Sequence, residues 1–174
     1  EQSGTPIEYK FNSNLRDYQI EPACKIYKHL LQNGSGIASL HTGWGKTCMS
    51  LWIAHKLGVK TIIIVHTDNL LNQWIEKIEQ FLLIKKEDIG IIQGPKLQID
   101  KDIVIGMIQS ISMKEYPSDT FKSFGLMMID EAHHTPGRCF SKIFYKIGAK
   151  YNLGLSATIN RADGLTKVIK YFMG

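Results

Sequence analysis

The sequence predicts a three-layer α/β domain with a mainly parallel sheet. Short apolar runs rich in β-branched residues recur along the chain, and segments with helical spacing of apolar residues separate them. Nearly unbroken apolar runs are typical of strands that are covered on both faces of a sheet. Strands that alternate with helices favour a parallel sheet between two helical layers. At 174 residues, 44% of them hydrophobic, the chain is long enough for one such core.

The strands and helices can be placed from these patterns. We predict strands at six apolar runs, 37–40, 61–65, 89–92, 103–108, 126–129 and 152–156. Apolar residues at helical spacing predict helices over 46–57, 69–83 and 139–147. Pro22 has no backbone N–H, so we place it in the first turn of a further helix that runs to about residue 32. Residues 15–19 then lie on the turn before that helix.

Charge gives an ambiguous signal about partners. The net charge of +5 and the pI of about 9.0 would suit a polyanion such as a nucleic acid. Only three of the 21 basic residues are arginines, however, and a lysine-rich, isoleucine-rich chain could equally reflect an AT-rich coding genome. Charge alone therefore leaves nucleic-acid binding open.

Cysteine spacing and hydropathy point to an intracellular location. The three cysteines lie far apart in sequence with no metal-ligand spacing, which predicts free thiols in a reducing compartment. No stretch of about 18 or more apolar residues is present, and the first residues lack the blocks of a secretory signal. We therefore expect a protein of the cytoplasm or nucleus that has no membrane segment.

The stretch HTGWGKT (41–47) stands between the predicted strand 37–40 and the predicted helix 46–57. Glycines there would let consecutive backbone N–H groups surround a phosphate at the positive end of the helix. A lysine next in sequence reaches the β- and γ-phosphates, and the following hydroxyl binds Mg²⁺. The chain supplies these parts in order as Gly43, Gly45, Lys46 and Thr47.

Two features of this loop depart from a plain phosphate-binding loop. The full G-x-x-x-x-G-K-[ST] pattern would place glycine where this chain has Leu40, so a glycine-rich structural turn stays an alternative. Thr42 and Trp44 complete the loop, and the indole of Trp44 must project from its surface. We expect that ring to pack against a neighbouring helix, with a partner domain as the alternative.

The stretch LMMIDEAHH (126–134) is an apolar strand that ends in two carboxylates. Asp130 would lie at the carboxyl edge of the sheet, where the loop 41–47 also lies, and could hold Mg²⁺ there. Glu131 could polarise an attacking water. The alternative is a pair of solvated acids, or Asp130 as a helix cap. We interpret His133 as a hydrogen-bonding coupler and His134 as a surface residue.

A third motif, SAT at 156–158, follows the last predicted strand. With TGWGKT (42–47) and DEAH (130–133), it resembles the first motor domain of superfamily 2 helicases and translocases of the DEAH-box kind. The resemblance covers nearly the whole chain. It implies a RecA-like domain over 15–174 that uses ATP and Mg²⁺, after a partly flexible extension at 1–14. It also implies that Ser156, Thr158 and His133 couple ATP to strand movement.

The same resemblance implies further binding residues. Gln19, in LRDYQ, matches the glutamine that reads adenine in that family, and Arg16 lies beside it. The stretch 65–74 resembles a nucleic-acid motif, although His66 stands where proline is common. The stretch 105–111 is similar to the next such motif. The residues that would contact a DNA or RNA strand are His66, Thr67, Gln73, Gln109 and Ser110.

The tail 154–167 resembles the xeroderma pigmentosum group B type helicases and the transcript-release helicases of large DNA viruses. Ile159 replaces a proline that is common there. The composition would suit a viral genome. In this family a second RecA-like domain supplies arginines to the ATP site, so we expect such a partner domain in the same protein. We expect that protein to act as a monomer.

Three other classes of protein share some of these features. A P-loop kinase would have the loop and the sheet, but kinases usually carry an arginine-bearing lid and this chain has three arginines in all. A double-stranded DNA translocase shares every motif without separating strands, and the sequence leaves it open. A non-enzymatic binding module would not need the complete set of Gly43, Lys46, Thr47, Asp130 and Glu131.

Overall fold

The computed structural model describes residues 3–41 and 43–157. In this part of the chain seven strands form one sheet. The strands are β1 (Ser35–Ser39), β2 (Thr61–Val65), β3 (Ile89–Gln93), β4 (Lys96–Leu97), β5 (Ile103–Met107), β6 (Leu126–Ile129) and β7 (Tyr151–Ser156).

The helices alternate with the strands along the chain. They are α1 (Asp17–Asn33), α2 (Lys46–Leu57), α3 (Asp68–Leu82), α4 (Ile108–Met113) and α5 (Gly137–Ile147). Two short 3₁₀ turns cover Lys86–Asp88 and Ala132–His134. Among the described residues, no helix is long and apolar enough to cross a membrane.

The sheet order is β1-β7-β6-β2-β5-β3-β4. All neighbouring strands are parallel except β3 and β4, which pair antiparallel at one edge. Helices cover both faces, so the predicted three-layer α/β class with a mainly parallel sheet is confirmed. Because the long strands are parallel, their carboxyl ends lie at one edge of the sheet.

Two apolar layers bury the sheet. Side chains of β2 alternate between them: Ile63 joins the layer under α1, α2 and α3, while Ile62 and Ile64 join the layer under α5. All three are 0% exposed. Burying an isoleucine side chain contributes about 1.5–3 kcal/mol, which explains why both faces of these strands are apolar.

Most element boundaries agree with the sequence prediction. The strands at 61–65 and 126–129 and the helix at 46–57 have the predicted bounds. The predicted strand 103–108 is one residue too long, because Ile108 already begins α4. Neither α4 nor the two-residue β4 was predicted, since both are too short to show a period.

The position of Pro22 corrects one prediction. Helix α1 begins at Asp17, so Pro22 lies inside the helix and residues 17–19 are helical, not part of a preceding turn. The start is fixed by Gln19, whose Oε1 accepts the Arg16 backbone N–H at 2.9 Å, half of a capping box. This local bond outweighs the backbone bond that proline removes.

Part of the predicted N-terminal extension packs on the domain. Tyr9 is 4% exposed, and its hydroxyl lies 2.9 Å from the Val59 carbonyl and 2.8 Å from the Asp102 carbonyl. Burial raises the pKa of this phenol well above its usual range. Tyr9 thereby ties the segment before α1 to the amino ends of β2 and β5, at the edge opposite the carboxyl ends.

Candidate active site

The predicted motifs meet at the carboxyl edge of the sheet. The glycine-rich loop follows β1, the two acids follow β6, and β7 lies between these strands. Ser39 at the end of β1 pairs with Ser156 at the end of β7, and Ile129 of β6 pairs with Gly154. The topology therefore brings three motifs that are far apart in sequence to adjacent strand ends.

The glycine-rich loop has the backbone that its sequence predicts. Gly43 and Gly45 have φ values of 82° and 90°, in the left-handed region that favours glycine. Helix α2 begins at Lys46, and no side chain of the described residues caps its first turn. Its N–H groups can therefore bind an anion. Thr42 lies outside the described residues.

Trp44 does not project from the loop. Its side chain is 8% exposed and meets Tyr18 of α1 edge to face, with ring centroids 5.7 Å apart. The expected packing against a neighbouring helix is thus present, and the expectation of a projecting indole was wrong. Burial of the indole anchors the loop on α1.

Gln19 links α1 to the same loop. Its side chain is 3% exposed, and its Nε2 donates to the Trp44 carbonyl at 2.8 Å. A Cβ placed on Gly45 would lie 2.3 Å from this Nε2, so the close approach requires glycine there. Arg16, the N-cap residue three positions before Gln19, donates from Nη1 to the Tyr18 hydroxyl at 3.1 Å. Adenine recognition by Gln19 stays a prediction.

A cleft of about 390 Å³ opens beside the loop. It brings together five predicted binding residues, which are Arg16, Gln19, Gly43, Gly45 and Thr47. The sequence prediction missed its other walls, which are Ser13, Asn14, Cys48, Lys77, Gln80 and Phe81. The last three lie on α3. In the sequence they form only a polar helix face with one aromatic residue, a pattern that does not predict a binding site.

Asp130 is held by two hydrogen bonds. The Trp74 indole Nε1 donates to Oδ2 at 2.8 Å, and the Glu131 backbone N–H donates to Oδ1 at 2.8 Å. Burial raises the pKa of this carboxyl, while the Trp74 bond and the positive charge of Lys46 act to lower it. The positive charge of Lys46 thus favours the ionised form of Asp130.

Glu131 has a strained backbone. Its φ of 48° lies in the left-handed region, which costs a non-glycine residue about 1–3 kcal/mol. Its Oε2 lies 3.6 Å from His66 Nε2 and 3.8 Å from His134 Nε2. His134 is exposed, as expected of a surface residue, but its ring also lies beside the Glu131 carboxylate.

His133 contacts the third motif. Its Nδ1 lies 2.9 Å from the Ser156 hydroxyl at the end of β7. This contact is the geometry expected of a coupling pair between the acidic motif and SAT. Thr158 and the tail beyond it lie outside the described residues, so the coupling role stays a prediction.

The residues predicted to contact a nucleic-acid strand lie in the segments that follow β2 and β5. Thr67 caps α3, its hydroxyl accepting the Leu70 N–H at 3.2 Å, and Ser110 accepts the Gly94 N–H at 3.0 Å. The exposed members of the set are Thr67, Gln73 and Gln109. Both hydroxyls thus have a structural partner already, and contact with a nucleic acid stays a prediction.

The residues at this edge fit a magnesium–nucleotide complex. Thr47 and Asp130 offer hydroxyl and carboxylate oxygens, the hard donors that Mg²⁺ prefers alongside phosphate oxygens. Each Asp130 oxygen accepts one hydrogen bond and keeps a lone pair for a metal-bound water. The described residues contain no group of three or more His, Cys, Asp or Glu that could hold a metal without such phosphates.

Sequence comparisons place this arrangement among helicase-like proteins. The family described as type III restriction enzyme, res subunit, matches residues 12–161. A protein of Acanthamoeba polyphaga mimivirus, whose name proposes an ATP-dependent RNA helicase, is 37% identical over 164 residues. A similarly named protein of African swine fever virus is 36% identical over 175 residues.

These relatives are much longer than the chain. The mimivirus alignment covers 94% of this chain but 31% of the relative, and the African swine fever virus alignment covers 92% and 32%. The chain therefore spans about a third of the length of these relatives.

Solved structures share the fold. The UvsW helicase of bacteriophage T4 superposes with a TM-score of 0.72 and 25% identity, covering 98% of this chain and 62% of that one. The SWI2/SNF2 ATPase core of Sulfolobus solfataricus, solved with double-stranded DNA, gives a TM-score of 0.71. It is 20% identical and covers 100% of this chain and 38% of that one, which shows a common fold.

Proposed function

Since this chain belongs to the type III restriction enzyme res-subunit family, within the superfamily 2 helicases, we propose that it is the ATP-binding motor domain of a nucleic-acid helicase. In the complete protein it would couple ATP hydrolysis to movement along, or separation of, nucleic-acid strands. The names of the viral relatives support this proposal. A second RecA-like domain would occupy part of the remaining length.

One observation supports the nucleotide site above all others. Lys46, directly after the loop that follows β1, and Asp130, at the end of β6, lie at the same edge of the sheet, because β1 and β6 are parallel and flank β7. A glycine-rich structural turn or a pair of solvated acids would have no reason to bring these groups together. A bound triphosphate and its magnesium ion would lie between them.

The chemistry of hydrolysis follows from the residues at this edge. Lys46 and the first N–H groups of α2 would bind the phosphates, while Thr47 and Asp130 would hold Mg²⁺ directly or through water. The metal would neutralise charge on the transferring phosphoryl group. Glu131 would orient and polarise the attacking water, because its carboxylate lies beside Asp130 at the same strand end.

Lys46→Ala should reduce affinity for Mg-ADP and Mg-ATP by about 10²-fold, because one charged contact to phosphate contributes about 1.5–3 kcal/mol. Titration calorimetry on the purified chain measures this directly. The fold should remain intact, since Lys46 is on the loop side of α2 and is not part of the core.

Lys56→Ala is the matched control for that substitution. Lys56 lies on the same helix, is exposed, and contacts the Trp52 ring at 5.6 Å from its centroid. Its removal should leave nucleotide affinity within about twofold, a difference below 0.5 kcal/mol. If Lys46→Ala and Lys56→Ala bind nucleotide equally well, the loop is not a phosphate site.

We further propose that the pair His133–Ser156, with Thr158, couples ATP to strand movement. The combined substitution Ser156→Ala, Thr158→Ala should leave nucleotide affinity unchanged in the full-length protein, because neither hydroxyl belongs to the phosphate loop. Strand displacement per ATP hydrolysed should fall about tenfold, an energetic loss of about 1.4 kcal/mol in coupling.

A fluorescent strand-displacement assay run beside ATPase measurement gives this ratio. Ser141→Ala is a suitable control, since the Ser141 hydroxyl donates within α5 to the Gly137 carbonyl at 3.1 Å. Normal displacement per ATP by the double variant would remove the coupling role.

Translocation on double-stranded DNA without strand separation is the second candidate function. The description of the matching family, a restriction enzyme subunit, favours it. Stimulation of ATPase by duplex DNA, single-stranded DNA and RNA in parallel separates the two candidates and identifies the nucleic acid. A P-loop kinase would instead transfer phosphate to small acceptors and respond to none of these strands. The proposed location is intracellular, in a virus-encoded monomer.

A further inference from the structure

Helix α3 contacts the acidic motif directly. Trp74, in the second turn of that helix, is 2% exposed and donates from Nε1 to Asp130 Oδ2 at 2.8 Å. At the residue just before the helix cap, His66 Nε2 lies 3.6 Å from Glu131 Oε2. A single segment, 66–74, therefore contacts both carboxylates that the nucleotide site would use.

The two Asp130 oxygens differ in what holds them. Oδ1 accepts a hydrogen bond from the backbone N–H of the adjacent Glu131, so this bond stays within one loop. Oδ2 accepts its bond from Trp74 on helix α3, 56 residues away in sequence. Asp130 is half-buried. A donor fixed on a packed helix holds this carboxylate in one orientation, as a metal-bound water requires.

The amino-terminal end of α3 also carries residues that would contact a nucleic-acid strand. Thr67 caps the helix and is exposed, and the residues around it resemble a motif that contacts strand phosphates. Trp74 lies seven positions after Thr67, a distance of about 10 Å along the helix axis. Because α3 is continuous over Asp68–Leu82, a displacement at its first turn carries the indole with it.

We propose that Trp74 is a positioning residue for Asp130, and that through this hydrogen bond α3 transmits nucleic-acid binding to the metal-binding carboxylate. The proposal rests on the proposed ATPase function and deepens it, because it names how the strand regulates that site. A buried indole needs an acceptor in any case, so a purely structural bond is the competing explanation. The two explanations predict different magnesium dependence of nucleotide affinity when the hydrogen bond is removed.

Trp74→Phe tests this difference, since it keeps a buried ring and removes the N–H donor. We expect affinity for ADP with Mg²⁺ to fall about tenfold, the usual lower effect of removing a residue that orients a metal ligand. Affinity for ADP in EDTA should stay unchanged. Calorimetry on the purified chain gives both numbers, and thermal unfolding of the free protein gives the structural effect separately.

Trp52→Phe is the matched control. Trp52 lies on α2, where its ring contacts Tyr27 at 6.2 Å between centroids. Trp52→Phe should leave the ratio of the Mg²⁺ and EDTA affinities unchanged, and it should lower the unfolding temperature less than Trp74→Phe does, because Trp52 is only partly buried. A Trp74→Phe protein with an unchanged ratio would overturn the proposal.

A double-mutant cycle with Asp130→Asn shows whether the indole acts through that carboxylate. The combined variant should bind Mg-ADP no more weakly than Asp130→Asn alone, because residues in one network are not additive. Additive losses would mean that Trp74 acts elsewhere. In the full-length protein, Trp74→Phe should also lose about tenfold of the ATPase stimulation by nucleic acid, while Trp52→Phe keeps it.

A second probe covers the case in which Trp74→Phe does not fold. Benzothienylalanine at position 74 has the shape of tryptophan with sulfur in place of the N–H, and should reproduce the same loss of magnesium dependence. Normal magnesium dependence with this residue overturns the proposal. Failure of the proposed function is distinct from either result, because the unaltered chain would then show no nucleotide binding at all.

Discussion

Glu131→Gln is expected to lower the rate of ATP hydrolysis by about 10²- to 10⁴-fold, the contribution typical of a positioned general base. Glutamine has the size of glutamate but cannot accept a proton from the attacking water. Affinity for Mg-nucleotide should stay within about twofold, because Glu131 acts on water and not on the phosphates. Single-turnover hydrolysis in the full-length protein separates the chemical step from binding and product release.

Glu79→Gln provides the control for this variant, since Glu79 is an exposed residue of α3. It should hydrolyse ATP at the normal rate. Two results would contradict the assignment: a Glu131→Gln enzyme that keeps its rate, or one whose nucleotide affinity falls in proportion to its rate. The second would mean that Glu131 contributes to binding.

The 174-residue chain alone is expected to turn over ATP far more slowly than about 1 per second, an ordinary enzyme rate. The proposed second motor domain would supply arginines that stabilise the transferring phosphoryl group, and such arginines contribute about 10³–10⁵ in rate. Of the arginines that follow the glycine-rich loop, Arg138 lies on α5 and Arg161 lies outside the described residues. Steady-state ATPase assays with and without the second domain measure the difference.

A second domain with its arginine motif changed to alanine is the informative control for that comparison. It should restore almost none of the rate, although the two domains would still associate. Turnover by the 174 residues alone at about 1 per second or faster would refute the proposal that the site is completed by another domain.

The sequence was sufficient for the features that depend on local pattern. The strand 61–65 could be placed because both of its faces are buried and its apolar run has no interruption. The glycine-rich loop could be placed between a strand and a helix because apolar runs of different period flank it, while its binding of phosphate stays a prediction. Pro22 was misplaced because its backbone penalty was weighed alone, while Gln19 and its bond to the Arg16 N–H determine where α1 begins.

The contacts across the sheet could not be predicted in this way. Trp74 meets Asp130 only because α3 packs on β2 and β5 and β6 lies next to β2 in the sheet, and no local pattern gives that strand order. In sequence Trp74 looked like one more apolar position of an amphipathic helix. The walls that α3 contributes to the cleft beside the glycine-rich loop, such as Lys77, were missed for the same reason.

The left-handed backbone at Glu131 has an evolutionary consequence. Glycine or asparagine would adopt a φ of 48° more readily than glutamate does, so selection for stability of the fold alone would favour replacing Glu131. Under the role that we propose for Glu131 in hydrolysis, selection for turnover would oppose that replacement. Copies of the gene that are kept for their fold but not for turnover should then lose glutamate here early, so the residue at position 131 would distinguish active proteins from inactive ones.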